Sequence, residues 1–297
     1  MKIGVVFPQI ESGTDPGFIR DYAQTAESLG YDYILIYDHV VGANTASRPN
    51  WKGPYTSKNI FHEPFVVFGY MAACTKKIEL VTGVIILPQR QTVLVAKQAA
   101  EVDVLTGGRL RLGIGVGWNA VEFEGLGMNF HDRGARSVEQ IKLMRELWTR
   151  ETVTFEGKWH KITDAGINPL PVQRPIPIWI GGESEIALRR AARIADGWTS
   201  SRPIRPAGKQ PAGEPARDDQ VRRLREHLAA FKRDPASFGI EGRAATAGGG
   251  PDDWRRQIEG WKKLGATHLG VNTMQAGLPN PRAHIDAIRR YREAATS

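Results

Sequence analysis

The sequence predicts a single (β/α)8 barrel of the TIM type spanning residues 1–297. Three observations carry this reading. Short β-branched runs alternate with amphipathic helical stretches, the signature of βα units and a parallel sheet. Eight of each can be counted, which fits a closed barrel better than an open doubly wound sheet. The length would allow two domains, yet barrels of roughly 250 residues fold as one, and no composition shift divides this chain.

The strand runs fall at residues 3–7, 33–37, 78–86, 110–115, 176–180, 197–200, 239–246 and 268–272, the seventh being the weakest. After the first, Phe18, Ile19, Tyr22, Ala23, Ala26 and Leu29 recur on one helical face, and Gly30 ends that helix. Further helices fit at 64–74, 93–105, 135–148, 184–195, 218–231, 252–264 and 281–294. Three segments exceed the minimal repeat: 40–63, the part of 118–175 outside its helix, and 202–217. In the second, 152–155 and 159–162 flank Glu156-Gly157-Lys158 and read as a β-hairpin. The third is rich in Pro, Gly and Arg and offers little apolar surface to bury.

Apolar residues at 41% and charged residues at 24% exclude collagen-like, coiled-coil and disordered classes. Cys74 is the only cysteine, which excludes a disulfide framework and multi-cysteine metal sites and suits a reducing cytosol. It falls in a helical stretch and reads as a packed thiol. The 40 Lys+Arg against 32 Asp+Glu give a net charge of +8. With no zinc-finger spacing, basic-aromatic interleave or basic leucine repeat, this charge reads as a solvated surface and not as a nucleic-acid interface. The first run reaches Pro8 too soon for a signal peptide or membrane span, so a cytoplasmic protein with no membrane partner is expected. His62, His131 and His160 lack metal-ligand spacing, and no metal site is expected.

Barrel chemistry sits on the loops at the C-terminal ends of strands. That rule selects Pro8-Gln9-Ile10, Asp38-His39, Thr82-Gly83-Val84, residues 113–119, Gly181-Gly182-Glu183-Ser184, Trp198-Thr199-Ser200 and Asn272. Asp38-His39 sets an imidazole beside a carboxylate, suited to proton transfer near neutral pH, or else closes its own loop by hydrogen bonding. Gly113-Ile114-Gly115-Val116-Gly117 lacks the Gly-Lys-Ser/Thr of a phosphate loop and the acidic ribose partner of a nicotinamide fold. It reads instead as close backbone approach to a planar ligand, with Asn119 able to bond a ligand's polar edge or simply to make a turn. Gly181-Gly182-Glu183-Ser184 opens a helix, where free amides, a hydroxyl and the helix dipole make either an anion site or a plain cap. Glu139 can pair with Arg136 at i, i+3, a structural contact.

These positions resemble the bacterial luciferase-like superfamily, which holds flavin monooxygenases and oxidoreductases using the deazaflavin coenzyme F420. The resemblance is carried by Asp38-His39, Ala96-Lys97-Gln98, Asp103-Val104-Leu105-Thr106-Gly107-Gly108-Arg109-Leu110, and Gly113-Ile114-Gly115-Val116-Gly117-Trp118 with Glu122 and Gly125. It continues through Arg133, Arg136, Glu139, Leu147-Trp148, Ile180-Gly181-Gly182 and Ala195-Asp196-Gly197-Trp198. The whole set is most similar to the F420-dependent branch.

That resemblance implies a hydride-transferring oxidoreductase with coenzyme F420, or alternatively a monooxygenase using reduced FMN. It implies a third-strand bulge at Thr82-Gly83-Val84, with a non-prolyl cis bond at Gly83–Val84, supporting the ring. His39 would be the catalytic residue, and Asp38 would touch the cofactor and assist catalysis. Gly115, Gly117 and Asn119 would approach the cofactor. Gly181, Gly182, Glu183 and Ser184, with Trp198, Thr199 and Ser200, would hold its phosphate half, and Arg202, Arg205 and Lys209 would draw its acidic tail. The loops 40–63 and 118–131 would wall a small-molecule substrate pocket, with Trp51, Tyr55 and Phe61 as lining. A homodimer is expected on the same ground.

Overall fold

The structure, a computed structural model, describes residues 1–203 and 216–296. Arg205 and Lys209 lie outside the described residues. The expected barrel is present, with every strand of its wall parallel to its neighbours. In chain order the wall contains β1 (Lys2–Val6), β2 (Tyr33–Ile36), β3 (Glu79–Thr82) with β4 (Ile85–Ile86), and β5 (Leu110–Gly115). A hairpin, β6 (Val153–Glu156) and β7 (Lys161–Ala165), stands outside the wall as the sequence suggested. The wall resumes with β8 (Ile178–Gly181), β9 (Gly197–Pro203), β10 (Gly239–Ala245) and β11 (His268–Asn272). Each wall strand pairs with the next, and β11 returns to β1, which closes the cylinder.

The helices follow in alternation: α1 (Pro16–Ser28), α2 (Pro64–Cys74), α3 (Thr92–Thr106), α4 (Ala120–Gly125), α5 (Arg133–Thr149), α6 (Glu185–Ile194), α7 (Arg217–Ala230), α8 (Pro251–Lys263) and α9 (Pro281–Thr296). Their ends follow local chemistry. Asp15 and Glu63 accept amide hydrogens from Gly17 and Val66, each ahead of a proline in the first turn, and Gly107 ends α3 at φ +69°. The short α4 has no counterpart in the hydrophobic periodicity, because one and a half turns are too few to display it. Among the described residues no helix is long and apolar enough to cross a membrane.

The main core lies between the barrel wall and its jacket of helices, and includes Ile34, Leu80, Leu112, Ile178, Trp148 and Trp198. A second, smaller cluster fills the cylinder with Val6, Tyr33, Leu35, Val81 and Met274. Beside it the interior carries charge. Arg111 of β5 bonds Glu241 of β10 at 2.8 Å and Glu79 of β3 at 3.2 Å, and it lies between the rings of Tyr33 and Trp179. Arg243 reaches Glu241 at 3.1 Å and Thr199 at 3.3 Å. His268, beside this cluster, is held down to about 3 by burial and by the charge of Arg111, so it stays neutral.

The third strand is the irregular one. From the pair Val81–Arg111 to the pair Ile85–Ile114 it advances four residues while β5 advances three, so one extra residue bulges out between β3 and β4. The Gly83–Val84 peptide within this bulge is cis, as the sequence suggested. Glycines make room for it. A Cβ on Gly115 would lie 2.4 Å from a Val84 methyl, and one on Gly113 would lie 1.9 Å from the Thr82 carbonyl oxygen. Backbone cannot yield there as a side-chain tip could. Gly113→Ala is therefore expected to cost about 3 kcal/mol or more, by analogy with severe overpacking, as read from urea unfolding.

Candidate active site

The end of β2 delivers three polar residues to the barrel mouth. Tyr37 is half-buried, Asp38 is buried, and His39 lies at the rim. Both carboxylate oxygens of Asp38 are committed: Oδ2 accepts from the Ile86 amide at 3.0 Å, and Oδ1 from Arg90 at 2.8 Å. Burial pushes its carboxyl up, against the pull of Arg90 and the Ile86 amide. Arg90 also bonds Glu63 at the start of α2. Asp38 thus fastens β2 to the strand just past the bulge. Both oxygens are engaged within the fold, in keeping with the hydrogen-bonding alternative that the sequence left open beside proton transfer.

His39 has a different partner, Glu122 of α4. Its Nδ1 lies 2.9 Å from Glu122 Oε1, the oxygen that also accepts the amides of Val40 at 2.9 Å and Val41 at 3.4 Å. An oxygen already accepting backbone N–H groups is an acceptor for the imidazole too, so Nδ1 carries the hydrogen and Nε2 is left to serve a ligand. Among the described residues Nε2 has no hydrogen-bond partner. Tyr55, Phe61 and Trp118 meet the imidazole edge-on at centroid distances of 4.8, 4.7 and 5.6 Å, and Trp51 rests on Trp118. Loop 40–63 and the segment after β5 therefore do converge on His39. They leave a cavity of about 170 Å³ lined by His39, Tyr55, Ser57, Asn59, Phe61 and Asn119.

Glu122 was named in the sequence reading only for its place in the family pattern. Its pairing escaped that reading because its partner lies 83 positions away and α4 has no helical periodicity to flag its face. Asn119 accepts from the Val121 amide as the cap of α4, and its Nδ2 reaches the Val41 carbonyl at 3.3 Å. That is the turn-forming alternative, placed at the edge of the cavity. Thr82 likewise turns inward to structure, its hydroxyl donating to the Gly113 carbonyl at 2.7 Å. Gly117 takes φ +76° and gives its carbonyl to Arg133 at 3.3 Å.

Across the mouth, Val84 rests over Gly113, Gly115 and Gly181, and β8 and β9 end beside it. Gly182, at φ +127°, and Ser184, which caps α6, form the expected turn. Glu183 turns its carboxylate to the hydroxyls of Ser200 at 3.4 Å and Ser201 at 3.0 Å, and to Arg217 at 3.0 Å and Arg202 at 3.5 Å. Glu183 thus faces two guanidinium groups, those of Arg202 and Arg217. Arg217, buried at the start of α7, was missed because it looked like the end of a basic loop. Trp198 corrects a sequence expectation: it is wholly buried in the outer core, and its indole bonds the Gly182 carbonyl at 2.7 Å. Side chains alternate along a strand, so when Thr199 faces inward to Arg243, Trp198 must face the helices.

Glu139 also departs from its expected partner. Its carboxylate accepts the amides of Lys158, Trp159 and His160 and pairs with the His160 imidazole, while Arg136 turns to Asp132. The helix thus pins the β6–β7 hairpin, a contact three residues' spacing could not foretell.

The sequence pattern of luciferase-like monooxygenases matches residues 1–247. An uncharacterised protein of Mycobacterium tuberculosis is 35% identical over 197 residues, 65% of this chain and 68% of its own length. An FMNH2-dependent dimethylsulfone monooxygenase of Pseudomonas putida is 31% identical over 199 residues, 65% of this chain and 51% of its own. Among solved structures, the monooxygenase RslO1 of Streptomyces bottropensis superposes with a TM-score of 0.78 at 19% identity, covering 100% of this chain and 99% of that one. The coenzyme F420-dependent tetrahydromethanopterin reductase of Methanopyrus kandleri gives 0.73 at 17% identity, covering 97% and 96%.

Proposed function

Because the chain belongs to the luciferase-like monooxygenase family, we propose that it is a coenzyme F420-dependent oxidoreductase acting on a small organic substrate. The observation that carries this reading is the His39–Glu122 pair, one residue along from Asp38, whose bond to Ile86 sets it beside the bulge. Hydride exchange at a substrate carbon requires a proton to leave or join the neighbouring heteroatom, and Nε2 of His39 is the group positioned to move it. When bound, the deazaflavin supplies or accepts the hydride. Glu122 holds the imidazole in one tautomer and stabilises it when charged. Tyr55, Phe61 and Trp118 exclude water from the imidazole, which strengthens that interaction.

The mouth suits such a ligand. Gln89, on the turn after β4, is 1% exposed with no hydrogen-bond partner for either amide atom among the described residues, orphaned polar atoms of the kind that the polar edge of a ring system satisfies. Arg202, Arg217 and the serine hydroxyls suit an anionic phosphate half, provided Glu183 yields part of its bonding. An assay under argon tests the reading: bleaching of the deazaflavin's visible absorbance by a panel of alcohols and other hydride donors, unaffected by admitting air.

The second reading is a monooxygenase using reduced FMN, supported by the similarity to the dimethylsulfone enzyme. It predicts no product without dioxygen. The homodimer belongs to the proposal as well, and α2 and α3 offer a face for it, where Val66, Tyr70, Leu94 and Leu105 are exposed.

A further inference from the structure

Away from the mouth, two adjoining cavities run along the outside of the barrel between α5, α6 and the β6–β7 hairpin. The larger, about 680 Å³, is lined by Val138, Ile141, Phe155, Trp159 and Ile194, with Lys142 and Arg193 among its cations. The smaller, about 520 Å³, is lined by Ile186, Arg189, Arg190 and Arg193. Ala135, Val138 and Arg193 border both, so the two form one groove. The helical repeat explains its composition: Ala135, Val138 and Lys142 form one stripe of α5, and Arg189 and Arg193 fall one turn apart on α6.

The carboxylates along this groove already have partners. Asp132 accepts from the Trp159 indole at 3.0 Å and pairs with Arg136, and Glu139 is taken up by the hairpin amides. Glu146 pairs with Arg150, Glu156 with Lys161, and Asp196 with Arg145. Among the described residues Lys142, Arg189, Arg190 and Arg193 have no carboxylate partner. Burial, and then the like charges of Arg193 and Arg133, lower the pKa of Arg190, the direction opposite to that given by a neighbouring carboxylate. Cations without a carboxylate partner beside an apolar hollow of ligand size are complementary to one kind of molecule.

We propose that this groove binds an amphipathic organic anion, with an alkyl or aryl body in the larger cavity and a carboxylate, sulfonate or phosphate head on Arg190 and Arg193. The site shares no lining residue with the cavity beside His39 and does not depend on which cofactor the mouth takes. Arg133, next to the groove, bonds the Gly117 carbonyl, so occupancy lies one contact from the mouth.

Titration calorimetry of the full chain with laurate, below the concentration at which it forms micelles, tests the assignment. Saturable binding is expected, weakened about tenfold or more by the charge reversals Arg190→Glu with Arg193→Glu, as for loss of complementary charge. Ala135→Trp, at an exposed position shared by both cavities, should block the body of the ligand and weaken binding to a similar degree. Dodecanol, with the same chain and no charge, should bind about tenfold more weakly than laurate. Should the charge-reversed protein fail to fold, Ala135→Trp and the alcohol still decide. Absence of saturable laurate binding, or binding that ignores the variants or is matched by the alcohol, overturns the proposal.

Discussion

His39→Ala is expected to lower turnover by about 10²–10⁴-fold, the range for a positioned general acid or base, while cofactor affinity changes little. In the proposed reading the imidazole serves the substrate's proton, whereas the glycine-lined wall, the bulge and the Glu183–Arg217 region serve the cofactor. Glu122→Gln refines the test, because it keeps the size of the side chain and changes its partnership with Nδ1. An amide can accept through oxygen or donate through nitrogen, so the tautomer of His39 is no longer fixed. The expected result is a smaller fall in kcat than for His39→Ala, with a displaced pH profile. A contact that merely braced the loop would alter stability and leave that profile in place. Unchanged turnover in His39→Ala would remove the imidazole from the mechanism.

Glu241→Gln is expected to destabilise the protein by about 3–5 kcal/mol, the cost of breaking a buried ion pair from one side. Glu241 is wholly buried and stands between two buried guanidinium groups, Arg111 and Arg243. Its removal leaves both cations in the barrel interior, with only the partly exposed Glu79 nearby. Burial works against the Glu241 carboxylate, and the charges of Arg243 and Arg111 outweigh it, so its folded pKa lies below the ordinary value. A depressed carboxylate stabilises the fold above its unfolded-state pKa and loses that contribution as the pH falls toward its folded-state value. Urea unfolding should therefore show the deficit at neutral pH. The gap between wild type and variant should narrow in acid; a gap that stayed constant down to the lowest pH at which the protein folds would show that charge is not its origin.

The architecture was legible because it is local. Helix 64–74 coincides with α2, and the other helices shift by only a few residues, since apolar periodicity, prolines and capping residues act over a single turn. The third strand read as one run, 78–86, because a bulge leaves the apolar character of a strand intact while breaking its pairing. The run 239–246 was weak for the opposite reason: Glu241 and Arg243 point into the barrel, where their partners come from β5 and β9. At the mouth, the third-strand bulge lies where the sequence places it, and His39 lies at the rim beside a cavity. Strand ends could not separate Thr199 from Trp198, whose opposite faces follow from strand alternation, or find Glu122 and Arg217, whose importance depends on partners distant in sequence.

Whether the mouth takes the deazaflavin is decided by titrating the apoprotein with coenzyme F420 and, separately, with FMN, followed by tryptophan fluorescence. Trp118 packs on His39 at the rim and should report either ligand. Tight, saturable quenching by the deazaflavin and weak binding of FMN in both redox states are expected. Tight binding of FMN or its reduced form, with none of the deazaflavin, would contradict the deazaflavin reading.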